Sequence, residues 1–176
     1  MEGDPPKDWK TAGRAAFLPG ASAAFVAVLC YFTASLVLPV HETYWAPIAA
    51  IVVLYPGSEA TRKASIEQFL GTAIGSFIGW GTATYWHQNL LLYGLAVLIA
   101  TGVCYLLRLE KASRLCAVAV TIITLIPRSA PAYVVAFHRF LEVSYGVACA
   151  LAYTVALDFA RSRLRARAFD PRQQQR

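Results

Sequence analysis

AAFLPGASAAFVAVLCYFTASLVLPV, residues Ala15 to Val40, runs for 26 residues without a charged side chain. A helix rising about 1.5 Å per residue needs roughly 20 residues to cross about 30 Å of hydrocarbon, so this stretch is long enough to span a bilayer. It is too long for a cleaved signal peptide, and its flank, with Glu2, Asp4 and Asp8, is too acidic, so it reads as a retained helix. Working outward, five more low-charge runs follow. Gln68 to Trp86 and Gln88 to Leu107 are long enough to span; Thr43 to Ser58, with Pro47, and Leu115 to Pro127 are short. Val143 to Leu157 reaches spanning length only if it extends back over Arg139 and Glu142. The expectation is an all-α membrane protein with six transmembrane helices. Continuous apolar runs of this length exclude a transmembrane barrel, whose strands are shorter and alternate.

Composition agrees. Of 176 residues, 57% are hydrophobic and only 15% charged, more apolar surface than one soluble core hides, which excludes disorder and collagen-like structure. The net charge of +6 does not point to nucleic acid, because the basic residues lie between and after the apolar runs rather than on one face. Their partner is membrane lipid. With six crossings that begin and end in the cytoplasm, the inner segments hold 14 of the 16 Lys and Arg residues, leaving only Arg128 and Arg139 outside them. Tyr44, Trp45, Tyr85, Trp86 and Tyr93 then form an outer aromatic belt. This divides the chain into a cytoplasmic N-terminal tail (1–14), a multi-pass membrane domain (15–160) and a basic cytoplasmic tail (161–176). Any helix in that tail is expected to end at Asp170-Pro171. Cys30, Cys104, Cys116 and Cys149 each sit in an apolar stretch without metal-ligand spacing, and read as buried small residues. No phosphate-cradling loop, HExxH, GxSxG or Cys/His cluster is present in the sequence, so the reading is not an enzyme, with no cofactor and no metal.

Sliding the chain by 71 residues sets LYPGSEATRKASIEQFLGTAIG (Leu54 to Gly75) on LIPRSAPAYVVAFHRFLEVSYG (Leu125 to Gly146), with six of 22 positions identical. The pairs include Pro56/Pro127, Ser58/Ser129, Phe69/Phe140 and Gly75/Gly146. Three crossings per copy is an odd number, so the copies (15–86 and 88–160) are expected to be inverted repeats. In each, proline ends one helix and serine two residues on caps the next. Gly71, Gly75 and Gly79 form a stripe at four-residue spacing that lets a second backbone come close, and Gly146 has the same phase in the other copy. The two glycine-bearing helices are expected to pack on each other.

YWAPIAAIVVLYPGSEATRKASIEQFLGTAIGSFIGW (Tyr44 to Trp80) resembles the signature of the fusaric acid resistance protein-like family, also called aromatic acid exporters, with its Trp-Ala-Pro opening, short basic loop, Gly-Thr and Gly-x-x-x-Gly. HRFLEVSYGVACALA (His138 to Ala152) is similar to the family's arginine-led last helix. The resemblance implies an inner-membrane unit of six helices that exports an aromatic or other organic carboxylate, using the proton gradient. More distantly it is similar to plant malate channels, where anions pass without pumping. This chain departs from the pattern at Gln68, where the family usually has arginine, and no large cytoplasmic domain is expected after the sixth helix.

Candidate chemistry lies where polar groups interrupt the apolar pattern. Arg139 and Glu142 stand three residues apart on one helix face, and an arginine at membrane depth is costly enough to be a functional candidate. Its planar fork suits a carboxylate. Arg139, Gln68 and Tyr145 are therefore expected to bind substrate, with Glu142 and His138 as proton carriers. The function expected is export of a small organic anion by a homo-oligomer, a dimer first, because six helices alone are too few to enclose a path. A passive anion channel and a non-transporting membrane scaffold are the alternatives. Counted from a cap at Ser129, Arg139 lies near the midplane; counted back from Asp158 it lies near the outer boundary.

Overall fold

The computed structural model describes residues 9–37, 43–85, 89–126 and 130–168, all of whose regular elements are α-helices. They are α1 (Trp9–Val37), α2 (Trp45–Val53), α3 (Ser58–Tyr85), α4 (Leu90–Leu106), α5 (Glu110–Leu125) and α6 (Ala132–Ala168). Two carry stretches long and apolar enough to cross a membrane, Pro19–Val37 in α1 and Ala132–Arg163 in α6. α4 and the Ala112–Leu125 part of α5 are apolar but shorter. α2, at nine residues, rises only about 13 Å, half of a hydrocarbon core. Helix α1 starts within the expected N-terminal tail, and α6 continues over the arginines of the expected C-terminal one. The extension of the last crossing back over Arg139 and Glu142 is present as helix. The expected loop at His41-Glu42, Trp86 and His87, the expected cap at Ser129 with Pro127 and Arg128, and the expected stop at Asp170-Pro171 lie outside the described residues.

Between α2 and α3 the chain turns through extended Leu54 and through Gly57, whose φ of +106° is a left-handed conformation open to glycine. The Gly57 carbonyl accepts the first helical bond of α3 from the Thr61 N–H at 3.2 Å. Gly57, not Ser58, thus holds the cap position, because the backbone has already turned before the serine. The buried Thr61 hydroxyl clasps the same loop, accepting from the Tyr55 N–H at 3.1 Å and donating to the Tyr55 carbonyl at 3.0 Å. At the start of α6, Pro131 precedes the helix and its carbonyl accepts from Val134 and Val135.

Small side chains set the packing. Val26, Cys30 and Ala34 of α1 meet Ala46, Ala49, Ala50 and Val53 of α2 and Val143, Val147 and Ala150 of α6. A second core joins Ala96, Ala100 and Cys104 of α4 to Cys116 and Val120 of α5, with Ile74 and Ile78 of α3 against them. Large apolar side chains point outward instead, as at Phe32, Leu36, Phe77 and Leu98. That inverted arrangement suits hydrocarbon surroundings, where burial of apolar surface gives no advantage and close backbone approach does.

The glycine stripe has a different partner from the one its spacing suggested. A Cβ on Gly75 would stand 2.5 Å from the Cys116 carbonyl oxygen and 2.7 Å from the Ala119 Cβ, and one on Gly71 2.7 Å from the Ala112 oxygen. Gly79 faces Ile123. The stripe therefore seats α3 on α5, while Gly146 of α6 abuts the Ala46 carbonyl of α2. Helices α3 and α6 do pack on each other, but through Phe69 and Phe140, whose ring centroids lie 5.1 Å apart. The glycines thus serve the contacts of α3 with α5 and of α6 with α2.

Candidate functional site: a buried arginine where two long helices cross

Phe69 lies about 16 Å along α3 from Ser58, and Phe140 about 12 Å along α6 from Ala132. The crossing is thus well inside both helices. The residue before each phenylalanine turns into the bundle: Gln68 is 7% exposed and Arg139 4%. One turn further along α6, Glu142 is 2% exposed, and its Oε2 lies 3.7 Å from the Arg139 Nη1. The Arg139 Cζ sits 3.4 Å from the Trp45 ring centroid, so the guanidinium is stacked on the first residue of α2. Charge, opposite charge and aromatic face together are what a cation needs to be tolerated out of water.

Three features of the sequence produce this arrangement. After Pro131, which precedes α6, the i, i+3 spacing sets Arg139 and Glu142 on one face of that helix, and Gly146 lets α2 approach that face closely enough for Trp45 to cover the guanidinium. The Phe69–Phe140 contact brings α3, with Gln68, to the same level. Chemically, the site offers a fork of N–H donors beside a carboxylate that can exchange places with another carboxylate.

The remaining candidates separate. Tyr145 is half-buried against the α1–α2–α6 core, and His138 is half-buried on α6. Tyr153 stacks on Phe25 with centroids 5.9 Å apart and lines a cavity of about 440 Å³ with Tyr55, Asp158 and Arg161, at the opposite end of α6 from Ala132. Trp80 meets Phe77 edge-on and lines an open apolar groove of about 460 Å³ between α3 and α6. Trp45, expected in an outer belt, packs on the Arg139 guanidinium. Its sequence signal was the Trp-Ala-Pro opening of a helix half the usual length. Among the described residues no group of three or more His, Cys, Asp or Glu side chains is placed to hold a metal.

Residues 21–153 match the family described as fusaric acid resistance protein-like. The chain belongs to that family. The match includes all of α2 to α5 and the part of α6 that carries Arg139, Glu142 and Gly146, and it ends before the arginine-rich end of α6. No curated relative and no solved structure matches the chain. Membership in the fusaric acid resistance protein-like family, with the apolar helices, makes this a membrane protein of transport or resistance type.

Proposed function

We propose that the protein exports an organic carboxylate across the inner membrane, coupled to the proton gradient, with aromatic acids the first class to test. The observation that carries this reading is the Arg139–Glu142 pair, buried where α3 and α6 cross and capped by Trp45. A buried ion pair is weak as a source of stability, because desolvating both charges offsets their attraction. Its presence inside an apolar bundle is explained by use. Glu142 holds Arg139 while the site is empty. An incoming carboxylate takes the guanidinium, and Glu142, displaced, takes up a proton. His138, Gln68 and Tyr145 remain secondary candidates for proton transfer and for contact with the substrate.

Two inverted three-helix repeats, α1–α3 and α4–α6, fit this mechanism. Exchanging α1 with α4, α2 with α5 and α3 with α6 turns each packed pair of helices into another packed pair: α3 on α5 becomes α6 on α2, and α1 on α2 becomes α4 on α5. Helices α3 and α6 cross at the centre of that exchange. Repeats of this kind place a substrate site at the bilayer midplane between two halves that rock against each other. The test is flux of a panel of organic anions into proteoliposomes containing the purified protein, with and without a pH gradient. Accumulation driven by the gradient is expected. Dissipative flux alone indicates a channel, and no flux of any carboxylate contradicts the proposal.

A further inference from the structure

Helix α3 carries a stripe of polar residues that its glycine edge overshadows in the sequence. Thr61, Ser65, Gln68, Thr72 and Ser76 recur at three- and four-residue spacing, and all five are buried, at 0%, 1%, 7%, 3% and 6% exposure. On the helix they occupy the arc between the glycines that face α5 and the edge, including Phe69, that faces α6. From Ser65 to Ser76 the stripe rises about 16 Å.

Within it, the Ser65 Oγ, the Gln68 Oε1 and the Ser76 Oγ are buried with no hydrogen-bond partner among the described residues. This is not the usual fate of a hydroxyl in this protein. Thr33, Thr82, Thr84, Thr101, Thr121 and Thr154 all donate to the carbonyl four residues earlier in their helix. Ser65 and Ser76 have the same option and do not take it. Leaving a polar atom buried and unpaired is unfavourable, and the usual resolution inside a protein is an ordered water.

We propose that α3 lines a file of water molecules, running from Ser65 past Gln68 and Thr72 to Ser76, which wets the Arg139–Glu142 pair from across the α3–α6 seam. The chemistry of the orphan atoms selects water. A serine hydroxyl both donates and accepts, whereas the Gln68 oxygen only accepts, so its partner must be a donor. A metal cation would satisfy the oxygens but would stand at the level of Arg139. Water serves all three atoms and links them. Under the transport reading, on which only this consequence rests, the file is the route by which a proton reaches the Glu142 carboxylate; it arrives on a hydrated proton, which is left as water, and forms the neutral acid.

X-ray radiolysis of the unmodified protein in nanodiscs tests this, because bound water is split in place and oxidises the side chains that touch it. Mass spectrometry then compares phenylalanine with phenylalanine. Phe140, half-buried beside the seam, is expected to oxidise several-fold faster than Phe32, which is 62% exposed on the outer surface of α1. Equal or slower oxidation of Phe140 overturns the water file. A second measurement needs no radical chemistry: Ser65→Ala with Ser76→Ala relieves two unpaired hydroxyls if the seam is dry and removes two water contacts if it is wet. An unchanged or lowered melting temperature is expected, and a raised one overturns the proposal. An inactive protein with oxidised Phe140 contradicts carboxylate transport alone, whereas an active one with protected Phe140 contradicts the water file alone.

Discussion

Arg139 is the residue on which charge, packing and function meet. Its guanidinium is held by an anion one turn away and by the Trp45 face, and each restraint has its own signature. Replacing Trp45 by Ala removes a desolvated cation–π contact worth about 2 kcal/mol, whereas Trp45→Phe keeps an aromatic face. Thermal melts in detergent should therefore rank wild type above Trp45→Phe above Trp45→Ala; equal melting of all three would show that the stack contributes nothing. At the loop, Thr61→Val preserves shape but loses both bonds to Tyr55, and a loss of about 1 to 3 kcal/mol is expected from chemical denaturation. Arg139 and Glu142 were legible in the sequence because a charge inside an apolar run is conspicuous without any knowledge of the fold. Trp45 was not, because an aromatic next to a loop looks the same whether it faces headgroups or a cation on another helix.

For the helices, close approach decides the order of the bundle. Gly75→Ala already drives a methyl into the Cys116 carbonyl, a backbone atom that cannot rotate away, so α3 and α5 must separate. A clear fall in melting temperature is expected, larger for Gly75→Leu. Gly94 and Gly102 of α4 have nothing within 4 Å of an added Cβ, and alanine there should leave stability unchanged or raise it by about 0.5 to 1 kcal/mol. If Gly75→Ala melts like Gly94→Ala, the seat of α3 on α5 is wrong. Four-residue glycine spacing announced a tight contact, but spacing carries no address. Which helix accepts the stripe is a tertiary outcome invisible in either helix alone: α5 takes it, while Phe69 on the neighbouring face meets Phe140 of α6. The polar stripe of α3 is hidden in the sequence for a related reason, since serine and threonine do not interrupt hydropathy as charges do.

The whole molecule combines two long apolar helices with four that are shorter or more polar, and small residues inside with large ones outside. Helical class and family were readable from composition and from the Tyr44 to Trp80 stretch. The number of crossings was less so, because α2 supplies only half a membrane thickness and α3 is long but interrupted by polar residues. If the partition of basic residues sets the topology, both termini are cytoplasmic and reporter fusions at each end read cytoplasmic; a periplasmic signal at either would overturn six crossings. The most direct measurement of the central claim is carboxylate flux through the double variant Arg139→Gln, Glu142→Gln in proteoliposomes. Removing both charges avoids leaving either one buried alone, so the variant should fold and insert. If Arg139 receives the substrate and Glu142 the proton, this stable protein transports nothing. Carboxylate flux at the wild-type rate, with the pH gradient still driving it, would contradict the account.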